Sequence, residues 1–581
     1  MKEEIKKFFK GDLESEREIL EKYSHDASLL MVRPKLVLFP KDSEDVKNLV
    51  KWVGDNCVRQ DLAQKYGKLS ITPRCAGTDM SGGAIGESII LDFTRYMNHL
   101  VKFMDDIPQA SRKQKTSPQN SSAFGEKSFT ITVQPGMFYR DFEKITLEKG
   151  LILPCYTASK SLNAMGGMYG NNSAGERTLK YGKTEDYILS AKIVFADGIE
   201  RVVKSFALNE ISKQEEIYKK TYELIRQNEE EIKRARPNVH KNSAGYSVWN
   251  VIRLKNSSLV FDLNKLLVGS QGTLGIVTEI TFKLVSQTKH SKLVVIFMND
   301  LAPLGGLVDE ILALSPETLE AYDDKTMRLA VKFFPDFLKN KGFIGMLELM
   351  RSFLPEFGMM LVSGFPKLIL LAEFAGQSEN DVQKKCLELK NKIKGFKLKI
   401  HITKDENEAN KYWNIRRESF ALLRKHVRGM RTAPFIDDII VRPEFLPKFL
   451  PELNSILKKY DLIYTLAGHA GDGNFHIIPL MDFSRPDTSR IILELSDKVY
   501  DLVLRYHGSI TAEHNDGLIR TPYLNKMYSP AMLQIFKKIK EIFDPKNIFN
   551  PGKKIPTQNQ GGTKEYITKH IAAEHKITHR V

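Results

Sequence analysis

Hydrophobic and polar positions change rhythm once along this chain. In the first hundred residues short apolar runs alternate with charged helical stretches. A charged helix lies near Leu13–Tyr23, Leu36–Phe39 reads as a strand closed by Pro40, and a helix capped at Ser43 runs to Trp52. Ser70–Thr72 is a strand leading into glycine-rich turns, and Phe129–Val133 is another. Ile188–Phe195 is closed by an Ala196-Asp197-Gly198 hairpin turn, and about Lys213 to Arg236 is helical. From Lys292 the strands lengthen. Leu293–Met298, Leu368–Phe374 and Ile436–Val441 are separated by amphipathic helices over Asp381–Lys394, Glu406–Arg424 and Arg442–Lys459. That texture predicts a separate α+β domain with a largely antiparallel sheet.

Three stretches break the pattern. Ser111–Lys127, rich in Ser, Gln, Lys and Pro, reads as an exposed insertion occupying about 105–127. Phe333–Phe365 is apolar and basic but interrupted by Pro and Gly, which fits either an interfacial segment touching a membrane or a helical hairpin packed on the sheet. The polar, basic residues after Pro556 read as a flexible tail.

At 581 residues the chain holds two or three domains. A net charge of +16 suggests an anionic partner. The lysines are spread among acids, with no basic block and no aromatic–basic alternation, so nucleic acid is set aside in favour of solubility or weak attraction to anionic lipid. Cys57, Cys75, Cys155 and Cys386 form no Cys-x-x-Cys pair, which argues against a disulfide framework and an iron–sulfur cluster. The N-terminus has no signal-peptide core, and no apolar run reaches the roughly 20 residues needed to span a bilayer. A cytoplasmic protein is expected, with peripheral membrane contact through 333–365.

The densest chemistry lies in Gly468-His469-Ala470-Gly471-Asp472-Gly473-Asn474-Phe475-His476. Asp-Gly is a strong two-residue hairpin signal, and a turn at Asp472-Gly473 sets His469 opposite His476 on one face, where two imidazoles can share a divalent ion. The alternative is a loop that merely contains two histidines. Downstream, Ser509–Ala512 reads as a short strand ending at Glu513-His514. Glu513 completes a His-His-Glu set that zinc accepts with a position left open. Neighbouring side chains on an extended chain diverge, so one of Glu513 and His514 can ligate while the other acts on substrate.

Two glycine-rich segments, Pro73–Gly83 and Met165–Gly175, suggest close approach of backbone to a phosphate-bearing cofactor, although each could be plain turns. The first does not match the Rossmann or Walker spacing. With Lys241–Tyr246, Gly269–Val277 and Phe549-Asn550-Pro551-Gly552-Lys553 they resemble the PCMH-type FAD-binding domain of the vanillyl-alcohol oxidase flavoprotein family. The metal-site motifs extend the resemblance to its FAD-linked D-2-hydroxyacid dehydrogenases, the D-lactate dehydrogenase and glycolate oxidase flavin subunit type, from about Asp26 to Lys553.

The resemblance implies an α+β fold: a two-part FAD-binding domain over 1–285, a substrate (cap) domain with the metal site over 286–520, a segment 521–556 returning to the FAD domain, and a basic tail 557–581. It implies a pyrophosphate on the amides of Cys75, Ala76, Gly77, Thr78 and Asp79, with Arg74 and Gly82 beside them. The isoalloxazine would lie near Gly166, Gly167, Asn171, Ala174 and Gly175, with Ile276, Val277 and Asn550 adjoining the cofactor. No histidine stands between Pro73 and Gly86, so the FAD is expected to be non-covalent. His469, His476 and Glu513 match the metal ligands, His514 the proton-abstracting histidine, and Arg416 the arginine that holds the substrate carboxylate; a helix-surface salt bridge is the alternative for Arg416. The chain departs from the pattern at Gln271, Ile478 and Asn515-Asp516.

The implied reaction is oxidation of a D-2-hydroxy acid, D-lactate first among candidates, to the 2-oxo acid by hydride transfer to flavin N5. Electrons then pass to a quinone, a cytochrome or an electron-transfer protein. The alternatives are a non-catalytic flavin subunit of an oxidase complex and an enzyme like alkylglycerone-phosphate synthase.

Overall fold

In this computed structural model residues 1–104, 129–255, 257–332, 364–426, 429–556 and 563–572 are described. The expected insertion at 105–127, and residues 333–363 of the apolar-basic segment, lie outside them.

The N-terminal part is organised around two sheets. Leu36–Phe39, Ile89–Asp92 and Ile71–Arg74 pair in parallel, with Asp12–Glu14 antiparallel on the outer edge. Leu36–Phe39 and Ile89–Asp92 are buried at every position, which is why they read as unbroken apolar runs rather than as alternation. The helix packed beside them, Ser43–Asn56, is capped not by Ser43 but by Asp42, whose carboxylate accepts from the Asp45 N–H at 3.0 Å. The second sheet is antiparallel, in the order Leu100–Met104, Thr130–Val133, Ile276–Lys283, Ile188–Val194, Glu200–Lys204. The small-residue segment after Ala164 is a helix, Met165–Asn171, closed by Asn172 in the left-handed region. The C-terminal segment comes back to the first sheet, where the Asn550 N–H donates to the Ile71 carbonyl at 2.8 Å.

The C-terminal part carries an eight-stranded antiparallel sheet. Along its main path run Lys399–Ile402, His290–Met298, Leu368–Gly376, Thr318–Asp323, Ile463–His469, Asn474–Met481 and Arg431–Thr432, with Ile439–Ile440 also pairing to Asn474–Met481. Period-two alternation sorts its side chains into two cores. Val294, Ile296, Leu370 and Ala372 face the large core, while Leu293, Val295, Ile369 and Leu371 face a smaller one containing Tyr412, Trp413 and Ile415 of the helix Glu406–His426. Ala467 and Tyr322 belong to that second face, so His469 and Glu320, two residues away on their strands, point the same way. The sheet therefore delivers its polar side chains beneath the helix that carries Arg416.

Two further expectations need correction. The strand Ile436–Val441 pairs only at Ile439–Ile440, because Asp437 and Asp438 turn their carboxylates to a loop instead. Part of the expected flexible tail is ordered: Thr563–His570 is helical, and Ile571 and Ala572 bridge to Leu30 and Leu29. No helix among the described residues is long and apolar enough to cross a membrane.

Candidate active site

The histidine hairpin forms, but in a different register. His469 pairs with Asn474 and Ala467 with His476, leaving the four-residue turn Ala470–Gly473. The two-residue turn gives way because Asp472 is drawn aside by Lys241, whose ammonium lies 2.8 Å from its carboxylate. The histidines are consequently diagonal neighbours on one face rather than directly opposed, and they still converge, with ring centroids 5.3 Å apart.

Each imidazole is oriented from behind. His469 donates from Nδ1 to Glu320 Oε1 at 2.6 Å, and His476 donates from Nδ1 to the Asp437 carbonyl at 2.9 Å. Both Nε2 atoms are thereby turned to Glu513 Oε2, at 3.4 and 4.0 Å respectively. Donors held about 2.1 Å from a tetrahedral ion stand about 3.4 Å apart, so the three atoms have metal-site spacing, with each imidazole fixed by an outer partner.

Glu513 and His514 are not on a strand; Ser509 makes only an isolated bridge to Ile440. The loop takes its shape from Asp438, fully buried, whose Oδ2 accepts from the N–H groups of Ala512, Glu513 and His514 at 2.8, 2.8 and 2.7 Å and from the Thr511 hydroxyl at 2.7 Å. His514 donates from Nδ1 to Asp437 Oδ2 at 2.7 Å, and the buried Arg520 guanidinium grips the other oxygen of Asp437. The His514 ring stacks on His476 at 5.0 Å.

Burial disfavours a charged His514, but Asp437 and Asp438 outweigh it and push the imidazole up to about 9. For His469 the same contest, won by Glu320, also ends at about 9. His476, with burial and two neighbouring imidazoliums acting together, is held down to about 4. Burial would raise Glu513, yet Lys241 and His469 keep it well below the usual carboxylate range. Arg416 Nη2 pairs with Glu320 Oε2 at 3.1 Å, and its buried Nε has no partner among the described residues.

A cavity of about 470 Å³ joins this cluster to the glycine-rich loop. Arg74 through Asp79, Gly166, Gly167, Asn171, Ala174, Gly175 and Val277 line it, as do Arg416, His469, His476, Glu513 and His514. Gly82, Ile276 and Asn550 do not. Ile276 is packed in a core, and Asn550 braces the loop from behind, donating to the Gly83 and Gln271 carbonyls at 2.9 and 2.7 Å.

The wall fits a large flat cofactor with phosphates. Among the described residues the amides of Ala76, Gly77, Thr78 and Asp79 donate to no protein acceptor, and Gly77 has φ +69°, which favours glycine. A Cβ on Gly166 would stand 2.5 Å from Pro135 Cβ and 2.9 Å from Cys75 Sγ. The buried Oδ1 of Asn171 has no partner among the described residues. Gln271 has a physical reason: its amide donates to Asp79 Oδ2 at 3.2 Å, where a glutamate would set carboxylate against carboxylate.

Sequence reasoning missed Glu320, Asp437, Asp438, Arg520 and the role of Lys241. The one available signal was Asp437-Asp438 inside the apolar run Phe435–Val441.

A backbone-walled cavity opening onto a buried acid–histidine cluster defines a cofactor-dependent enzyme. The comparisons are more specific. Residues 34–203 match the FAD binding domain and residues 287–554 the C-terminal domain of FAD linked oxidases, and the chain belongs to that FAD-linked oxidase family. It is 24% identical to D-2-hydroxyglutarate dehydrogenase of Haemophilus influenzae, over 94% of this chain but only 50% of the relative, so it spans about half that protein's length. It is 26% identical to glycolate oxidase subunit GlcD of Bacillus subtilis over 91% of both chains. A solved structure of p-cresol methylhydroxylase with substrate bound shares the fold, at TM-score 0.63 and 14% identity over 94% of each chain.

Proposed function

We propose that the chain oxidises the C2 hydroxyl of a D-2-hydroxy acid, D-lactate first among candidates, to the 2-oxo acid and passes the electrons to an external quinone, cytochrome or electron-transfer protein. The observation that carries this is the single cavity in which the glycine-walled half meets three imidazoles and an arginine. When bound, FAD supplies a hydride acceptor and a divalent ion, zinc in our reading, supplies Lewis acidity toward the hydroxyl.

The chain's own residues do the rest. Arg416, whose buried Nε has no partner among the described residues, is the group that takes the substrate carboxylate. His469, His476 and Glu513 are the ion's ligands. His514, its Nδ1–H committed to Asp437, presents Nε2 as the group that, in the neutral imidazole, takes the hydroxyl proton. The alcohol thus loses a proton to His514 and a hydride from C2.

The FAD is non-covalent in this reading. Besides the missing histidine, the Cys75 thiol donates to the Pro135 carbonyl at 3.3 Å, and burial pushes it far up, away from the reactive thiolate. Acid precipitation should release all the flavin to the supernatant. Anaerobic absorption spectra with D-lactate, glycolate, D-2-hydroxyglutarate and longer hydroxy acids test the activity. Bleaching by at least one is expected, and a flavin left oxidised by the whole panel sinks the proposal.

A further inference from the structure

Lys241 has no part in the chemistry just described, yet it is one of the most completely buried cations in the protein, with its side chain 1% exposed. Its ammonium touches two carboxylates, Asp472 Oδ2 at 2.8 Å and Glu513 Oε1 at 2.5 Å. Asp472 sits in the turn between the strands that carry His469 and His476, and Glu513 sits on the separate loop held by Asp438. One ammonium therefore cross-links the two segments that bring the three ligand atoms together. It also divides the labour of Glu513, occupying Oε1 and leaving Oε2 to face the imidazoles.

We infer that Lys241 is a positioning residue for the metal site, fixing Glu513 as a one-oxygen ligand and locking the histidine hairpin to the Glu513 loop. This rests on the metal reading given above. The neighbouring backbone works in the same direction. The Ser243 N–H and hydroxyl donate to the carbonyls of Thr511 and Ala512 at 3.1 and 2.6 Å, and the Ser509 hydroxyl donates to Asn242 Oδ1 at 2.6 Å. Lys241 therefore enters on a segment already docked along the loop it orients. A cation beside a metal ligand could instead repel the ion. Asp472, 2.8 Å from the ammonium, offsets that charge, so what remains is direction.

Lys241→Met alone leaves two buried carboxylates facing each other, so the decisive protein is Lys241→Met with Asp472→Asn, which removes one positive and one negative charge. Zinc affinity of the FAD-loaded full chain is measured by competition with a chromophoric chelator, and FAD content reports folding. The wild type is expected to bind zinc, and the double variant to bind it about 10- to 100-fold more weakly with FAD unchanged, the usual consequence of losing an outer partner of a metal ligand. A wild type that binds no zinc removes the metal reading and this inference with it. Zinc bound by the wild type and equally well by the double variant overturns the inference alone. If the double variant fails to hold FAD, Asp472→Asn, which loosens only the hairpin side, is expected to bind zinc several-fold more weakly, and unchanged affinity there overturns the inference as well.

Discussion

The two ends of the cavity bury acids at similar depth and treat them in opposite ways. At the cofactor end Asp26 lies behind the glycine loop, accepting from the N–H groups of Ser28 and Ala84 at 3.0 and 3.3 Å; burial first, then Asp79, raise it above the usual carboxylate range. At the other end Glu320, Asp438 and Glu513 are equally buried and all lowered, because histidines and cations face each of them. One end is a backbone cradle whose acids hold loops. The other is a charge network whose acids must stay ionised to orient imidazoles. The two ends should therefore fail separately.

The largest effect comes from cutting the network. His469→Ala or Glu513→Ala should abolish stoichiometric zinc and lower turnover by more than about 10²-fold, while FAD content stays at the wild-type level. Elemental analysis beside the flavin spectrum checks this. Zinc retained by both variants would mean that the ion, if any, sits elsewhere. The mirror experiment is Gly166→Val, whose side chain must enter the space between Pro135 and Cys75. It should lose most of its FAD and keep its zinc, and parallel loss of both would erase the separation.

The same contrast decides what the sequence could reveal. The cradle is local: a strand, a run of glycines and a left-handed turn within a dozen residues, so its wall was readable from Pro73 to Gly83 and from Met165 to Gly175. The histidine pair was readable for the same reason, though its register was not, since Lys241 acts on the turn from far away in sequence. The network's partners are separated by 149 residues for His469 and Glu320 and by 272 for Lys241 and Glu513. No periodicity encodes such pairings. Asp437-Asp438 alone hinted at them, because two carboxylates in an apolar run must find donors when buried. The C-terminal sheet was legible as long apolar strands between amphipathic helices, its strand order was not.

A smaller effect sharpens the substrate side of the network. Arg416→Lys keeps the charge toward Glu320 but loses the planar fork, so KM for the hydroxy acid should rise about 10-fold with little change in kcat. Steady-state kinetics over the same panel of acids measures it. A fall in kcat at unchanged KM would place Arg416 on the transition state rather than on the bound carboxylate.

The smallest effect tests the cradle's acid. A carboxyl whose folded-state pKa is raised is tolerated while it is protonated, so it costs nothing at pH values low enough that both folded and unfolded chains carry the proton. As pH climbs past the ordinary carboxylate range the unfolded chain ionises freely, whereas Asp26 resists beside Asp79, and stability is lost on the way to neutrality. Asp26→Asn removes that penalty and keeps an oxygen to accept from Ser28. The melting advantage of the FAD-loaded variant over the wild type should widen by about 2 °C between pH 5 and pH 8. The corresponding change at the network end, Asp438→Asn, should have the opposite sign, since Asp438 is lowered and its ionised form organises the 511–514 loop. A wild-type advantage over Asp26→Asn that grows with pH would show that both ends keep their acids ionised and that the contrast drawn between them is wrong.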